Sequence, residues 1–314
     1  MRGIIITETF HKGGFFAVKD ALMKLIYFLA EKGKLIGINR SKLKAFLYPA
    51  YRFFCCVIYR IGGGYIYLYH VELPLTQRCN LRCKHCSFFM PYFKNPVDFP
   101  LEDLIKYIDR LHEAVDSVQI FRILGGEPFL YKDLYAIVKK AIACQKFKTI
   151  EIVTNGTIVP SAELLDLMKG QRVKIQISYY GKLSRNAEKI KAVCDEAGVL
   201  CVIRDPKDKT WGYAGDLHNR GRTAKELKKQ LKRCGNICRN FQNGKLYFCP
   251  RASFGSKLGM PDSPNDFVDF TQDVDVKTRK KQIFELNQKR FIAACNYCDE
   301  GTEYDIPVPV AEQL

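Results

Sequence analysis

From residue 65 to residue 204 short apolar runs alternate with stretches of helical period, and this alternation restricts the fold more than any other feature of the chain. Strands are predicted at Tyr65–Leu73, Ser117–Leu124, Thr149–Thr154, Val173–Ser178 and Val199–Arg204. Helices are predicted between them at Leu101–Val115, Lys132–Gln145, Ser161–Lys169 and Asn186–Ala197. Pro100 followed by Leu-Glu-Asp gives the first of these an early proline and an acidic first turn. Strand, helix and strand repeated in this way specify a parallel sheet with right-handed crossovers. In such a sheet the loops after the strand C-termini carry function.

The first strand runs into VELPLTQRCNLRCKHCSFFM, residues 71–90, which holds Cys79, Cys83 and Cys86. Thiolates separated by three and then two residues can close on one metal cluster from a single loop. A four-iron cluster that only transfers electrons is normally held by four cysteines, so this triad would leave one iron open to an outside ligand. A structural zinc site is the competing reading, with Cys83-x-x-Cys86 as half of it, but zinc spacings rarely include a further cysteine four residues upstream. Unligated core cysteines do not suit a loop that also carries Arg78, Asn80, Arg82, Lys84 and His85.

With Asn80 after the first cysteine and His85 before the third, the loop resembles the cluster loop of the radical S-adenosylmethionine (radical SAM) superfamily. The resemblance implies a [4Fe-4S] cluster whose open iron is chelated by the amino and carboxylate groups of SAM. Reductive cleavage of SAM would then give a 5′-deoxyadenosyl radical that takes hydrogen from a substrate. Further along, Gly125, Gly126, Glu127 and Pro128 follow the second strand and resemble the family's contact to the SAM amino group. The paired glycines would let backbone carbonyls approach a ligand. Thr154-Asn155-Gly156 follows the third strand where the family often has T-N-G. Ser178 ends the fourth strand where relatives contact the SAM ribose or carboxylate, although tyrosine stands at 180 in place of their acid. Arg204 closes the fifth strand and could meet a carboxylate or phosphate in bidentate fashion; a salt-bridged surface arginine is the alternative.

Past Trp211 the alternation stops. A basic helix is predicted over Thr223–Lys232, and Asn243-Gly244 between two short extended runs signals a hairpin. This second field holds Cys234, Cys238, Cys249, Cys295 and Cys298, five candidates for the four places of one metal site. Cys234 and Cys249 with Gly244 between them, followed by Cys295-x-x-Cys298, resemble the shortened SPASM domain called twitch. The resemblance implies one auxiliary iron-sulfur cluster of the [4Fe-4S] type, with zinc as the competitor. Either Cys234 or Cys238 is left over, and Cys238 is the candidate thiol for returning a hydrogen atom to substrate.

The expected fold is α/β: a partial (β/α)6 TIM-like barrel at residues 67–220, a small cysteine-rich module of the twitch/SPASM type at 221–314, and a basic helical N-terminal extension at 1–66. The extension contains predicted helices at Ala17–Lys32 and Lys42–Tyr59, the second with a break expected at Pro49. Their basic amphipathic character fits packing on the main body, or peripheral contact with an anionic membrane face. Thirteen cysteines would signal disulfides only in an oxidising compartment. The first residues lack the pattern of a signal peptide, so a cytoplasmic location is expected. Cys55, Cys56, Cys144, Cys194 and Cys201 fall in predicted helices or strands and read as small core residues.

The net charge of +17 favours anionic partners, while no nucleic-acid-binding module is recognisable. The function expected from these features is a radical SAM oxidoreductase or epimerase. It would act on a small polyol, sugar or glycan intermediate, with Trp211, Tyr213 and Tyr247 available to stack on a sugar ring. A flavodoxin or ferredoxin-type protein would supply electrons. The alternatives are a maturase of ribosomally made peptides and a non-catalytic metal-binding protein.

Overall fold

The computed structural model describes residues 40–205 and 210–314. The expected helix at 17–32 lies outside them. In chain order the elements begin with α1 (Arg40–Ile61), β1 (Tyr67–Pro74), α2 (Leu101–Ala114), β2 (Ser117–Leu124), α3 (Leu134–Ala143) and β3 (Phe147–Thr154). There follow α4 (Ala162–Met168), β4 (Val173–Ser178), α5 (Ala187–Glu196), β5 (Leu200–Arg204) and the short β6 (Thr210–Gly212). The C-terminal part contains α6 (Ala224–Cys234), β7 (Cys238–Gln242), β8 (Lys245–Tyr247), α7 (Pro250–Gly255), β9 (Phe267–Asp269), α8 (Val276–Asn287) and β10 (Pro307–Pro309).

One eight-stranded sheet in the order β5-β4-β3-β2-β1-β7-β8-β9 organises the molecule. From β5 to β1 every neighbour is parallel, as the alternating sequence requires. The sixth parallel strand comes from the second cysteine field: β7 pairs with β1 with His70 opposite Cys238 and Glu72 opposite Asn240. Beyond it β8 and β9 are antiparallel, and the β7–β8 turn has Asn243 and Gly244 at φ +49° and +70°, the left-handed pair that a two-residue hairpin needs. The sheet is therefore continuous across residue 220.

The outer face of the sheet is apolar. Val71, Phe121, Ile123, Ile150, Ile152, Ile175 and Ile177 are fully buried there. Phe121 stacks on Phe147 with ring centroids 4.2 Å apart. Helix α2 turns Leu104, Ile108, Leu111 and Ala114 inward, the spacing of one helical face. Each large side chain of this kind contributes roughly 1.5–3 kcal/mol of transfer free energy. This layer fixes which strand positions face the other way, and His70, Glu72, Arg122, Glu151, Lys174 and Gln176 are among them.

Helix α1 corrects one expectation. It runs unbroken through Pro49, which costs a backbone hydrogen bond, because Tyr48, Tyr51 and Cys55 continue a single buried face across the proline. Tyr59 stacks on Phe284 of α8 at 3.9 Å, so this part of the N-terminal extension packs on the main body. Cys55, Cys144, Cys194 and Cys201 are buried, whereas Cys56 is half-buried. Among the described residues no helix is long and apolar enough to cross a membrane.

Candidate functional site

The loops that follow β1, β2 and β3 meet at the C-terminal edge of the sheet. Gly126 N donates to Thr76 O at 2.8 Å and Glu127 N to Arg78 O at 2.9 Å. A Cβ at Gly126 would lie 2.1 Å from Arg78 O, and one at Gly125 would lie 2.7 Å from Thr76 O. These glycines thus permit a close approach to the backbone leading into the cysteine loop. Arg78 is anchored in turn by Asp98, with Nε donating to Oδ1 at 2.9 Å and a terminal nitrogen to Oδ2 at 2.6 Å.

Glu127 is fully buried and binds three donors: Phe129 N at 3.2 Å and Thr154 Oγ1 at 2.8 Å on Oε1, and Asn155 N at 2.8 Å on Oε2. Burial pushes its carboxyl up to about 7 against these bonds, which pull the other way. Asn155 Nδ2 donates to Asn80 Oδ1 at 2.9 Å and lies 3.8 Å from Cys79 Sγ. Asn80 Nδ2 reaches Thr157 Oγ1 at 2.7 Å. Cys79, Asn80, Glu127 and Asn155, taken from three different loops, therefore share one network.

Ser178 and Tyr180 lie beside this network. Tyr180 shares a hydrogen bond with the Ser178 side chain and lies near all three sulfurs of the triad. Its ring meets Trp211 edge-on at 5.5 Å. Arg204 is exposed at the end of β5, opposite Ser178.

The triad is surrounded by hydrogen-bond donors. The backbone N–H of Leu81 serves Cys79 and those of Phe88, Phe89 and Met90 serve Cys86, while Gln313 Nε2 lies 3.3 Å from Cys83 Sγ. Burial raises all three thiols, Cys79 to about 12, so bare thiols here are protonated. Sulfurs served by N–H groups in this way suit thiolate ligands of a cluster, which need donors and not further acids.

The second cysteine field forms its own chamber. A cavity of about 270 Å³ is lined by Cys234 at the end of α6, Cys249 before α7, and Cys295 and Cys298, together with Asn236 and Arg251. Burial raises the thiol of Cys249 to about 12 and that of Cys298 to about 11. Four sulfurs around one cavity suit a four-iron cluster or a zinc ion. Cys238 is not among the lining residues. It sits on β7 with Sγ 2.9 Å from His70 Nδ1, on the inner face of the sheet. Arg251 lines both this chamber and a second cavity of about 420 Å³ that reaches Cys86, and donates to Tyr297 O and Gly215 O at 2.7 Å each.

The inner sheet face holds functional groups that the sequence reading overlooked. Glu72 lies 3.6 Å from Arg122, Arg122 Nε donates to Glu151 Oε2 at 2.6 Å, and Lys174 pairs with Glu151 at 2.8 Å, a chain of charges across four strands. His70 Nε2, Gln176 Oε1 and both polar atoms of the Gln242 side chain are buried without a hydrogen-bond partner. Desolvation, then the charges of Arg122, Arg204 and Lys174, hold His70 well below the ordinary histidine range and keep it neutral. Part of the signal was present in the sequence, because His70 and Glu72, Arg122, Glu151, and Lys174 and Gln176 interrupt strands that otherwise read as buried. Of the aromatic residues expected to stack on a substrate, Tyr247 is buried against Phe267 instead, and Tyr213 lies edge-on to His85.

Residues 73–180 match the family model for the radical SAM superfamily. A PqqA peptide cyclase of Granulibacter bethesdensis is 30% identical over 116 residues, covering 37% of this chain and 30% of the relative. A GTP 3′,8-cyclase of Lactiplantibacillus plantarum is 34% identical over 148 residues, covering 45% and 44%. The chain thus spans less than half the length of these relatives. Among solved structures, BtrN in complex with AdoMet and 2-DOIA is similar with a TM-score of 0.44 and 16% identity, over 77% of this chain and 98% of that one.

Proposed function

Since residues 73–180 carry a radical SAM domain, we propose that this chain is an enzyme that takes hydrogen from a small polyol, sugar or glycan intermediate held against the inner face of the sheet. The observation that supports this most is the inner face itself, where the side chains of His70, Gln176 and Gln242 present buried polar atoms without partners. Buried groups of that kind cost free energy until something hydrogen-bonds to them. A hydroxyl-rich molecule can do so at several points, and an apolar one cannot.

In this reading Cys79, Cys83 and Cys86 hold the [4Fe-4S] cluster, and Gly125, Gly126, Glu127, Pro128, Asn155, Ser178 and Arg204 shape the SAM site. When bound, cluster and SAM together supply radical chemistry able to remove hydrogen from unactivated carbon. The chain's own contribution is position. Glu127 fixes the loops after β2 and β3 against each other, and Asn155 aligns Asn80 beside the first cysteine. Cys234, Cys249, Cys295 and Cys298 hold the auxiliary cluster, which leaves Cys238 as a thiol on the substrate side. That placement favours return of a hydrogen atom from the Cys238 S–H to the substrate radical, leaving a thiyl that one electron from the donor protein and a proton would restore to the thiol, and hence epimerisation over dehydrogenation. Residues 67–220 would form the SAM-binding unit and 221–314 the auxiliary unit, joined through β7, with electrons from a flavodoxin or ferredoxin-type donor.

The test is anaerobic reconstitution followed by incubation with SAM, a reductant and a panel of cyclitols, sugar phosphates and short peptides. Deoxyadenosine formation that depends on Cys83 and rises with a cyclitol or sugar supports the reading. Stimulation by peptides alone would transfer the chain to the peptide maturases, and no SAM cleavage at all would leave it a metal-binding protein.

A further inference from the structure

Residues 306–314 cross the outer side of the cysteine loop. β10 pairs antiparallel with β6, Val308 opposite Trp211, and Tyr213 N donates to Ile306 O at 2.9 Å. The chain then turns at Ala311, whose φ of +52° is unusual for a residue with a Cβ. From there it pairs with the loop: Lys84 N donates to Glu312 O at 2.7 Å and Leu314 N to Arg82 O at 2.9 Å. Glu312 also lies 3.4 Å from Lys84 and 3.3 Å from His85. At the centre Gln313 faces Cys83, with Nε2 3.3 Å from the sulfur and 2.6 Å from Ala311 O. The orientation of the amide follows from its partners, because Oε1 accepts Arg82 N at 2.7 Å and so leaves both amide hydrogens for Ala311 O and the sulfur.

Resting on the proposal that the triad holds a cluster, we infer that Gln313 is a positioning residue for the Cys83 ligand and sets the reduction potential of the cluster. An N–H donor strengthens its bond to sulfur as the cluster gains an electron, so it favours the reduced state and raises the potential. The donors at Cys79 and Cys86 come from the barrel loops themselves. The side-chain donor at Cys83 comes from a segment 230 residues away, and the same amide also holds the loop through Arg82 N, so the variants must separate the two bonds.

The experiment compares the reconstituted parent with Gln313→Leu and Gln313→Glu. In each, the triad cluster is identified by the change of its EPR signal on adding SAM, and is then titrated potentiometrically without SAM. The leucine removes the donor. The glutamate retains an acceptor for Arg82 N but sets a negative charge beside the sulfur. The expected order of midpoint potentials is parent, then leucine, then glutamate as the most negative, with iron content unchanged. Should Gln313→Leu fold but lose only the triad's iron, about four of about eight per chain, the positioning role stands on that loss. Coincident midpoints in all three proteins would overturn the inference. Iron content indifferent to Cys79→Ala would remove the triad cluster, and with it both the proposed function and this inference, before Gln313 is tested.

Discussion

Glu127 accepts the backbone N–H of Asn155 at 2.8 Å, so a single buried carboxyl joins the loop after β2 to the loop after β3. Burial is the largest influence on this group and pushes it up to about 7, above the ordinary carboxylate value. An acid with a raised folded-state pKa adds stability that is fully present below its unfolded pKa and is lost as pH rises through the raised value. The metal-free protein is therefore expected to lose on the order of 3 kcal/mol from this group between pH 4.5 and pH 8. Thermal melts of parent and Glu127→Gln at pH 5, 6.5 and 8 check this: the parent's decline should exceed the variant's, and parallel curves would refute it.

Gly126 has no room for a methyl group, since its Cβ would lie 2.1 Å from a backbone oxygen. Backbone cannot step aside as a flexible side chain can, so Gly126→Ala must push the glycine loop away from Arg78. The expected result is a modest loss of global stability, roughly 1–3 kcal/mol, with a larger loss of SAM affinity. Equilibrium dialysis of the reconstituted variant measures the second effect. Unaltered SAM binding would show that the two loops are not mechanically coupled.

The parallel sheet was legible in the sequence because one face of β1 to β4 is mostly apolar and the helices are amphipathic; β2 and β4 begin and end where their periodicity predicts. Periodicity identifies strands but does not say which strands pair, and so the insertion of β7 beside β1 was hidden. The same limit applies to the five cysteines of the second field. They are chemically identical, and spacing alone left Cys234 and Cys238 in competition. The pairing of β7 with β1 settles where Cys238 points, because Cys238 stands opposite His70. At Pro49 a local rule gave way to tertiary packing, since the buried face of α1 continues past the proline. The contact of Gln313 with Cys83 joins residues 230 positions apart and leaves no local trace.

Arg122 lies between two buried carboxylates, 3.6 Å from Glu72 and bonded to Glu151. The guanidinium and Lys174 hold the Glu151 carboxyl below its ordinary value against burial, whereas at Glu72 burial outweighs Arg122 and raises the carboxyl. Arg122→Met should cost about 3–5 kcal/mol, the penalty of leaving buried charge unpaired. The double variant Arg122→Met with Glu72→Gln should recover part of it. Chemical denaturation of the metal-free proteins reads both, and a single variant within about 1 kcal/mol of the parent would show that water already screens this face. Gln176→Leu on the same face removes an oxygen without a partner, so it should leave stability nearly unchanged while lowering turnover of a hydroxyl-rich substrate.

Counting iron separates the cysteines. Cys234, Cys249, Cys295 and Cys298 share one cavity, whereas Cys238 Sγ lies 2.9 Å from His70 Nδ1 on the inner face of the sheet. A parent with two four-iron clusters would carry about eight iron per chain. Cys234→Ala and Cys295→Ala should each reduce this toward about four, because a structural site with an absent thiolate rarely retains its metal. Cys238→Ala should keep all of it. If Cys238 returns hydrogen to substrate, the same variant should still cleave SAM but give oxidised or uncoupled product in place of the epimer, and in deuterated water the parent's product should gain one deuterium at the reacting carbon. Loss of about four iron from Cys238→Ala with none from Cys234→Ala would exchange the roles of the two cysteines, whatever the cavity suggests.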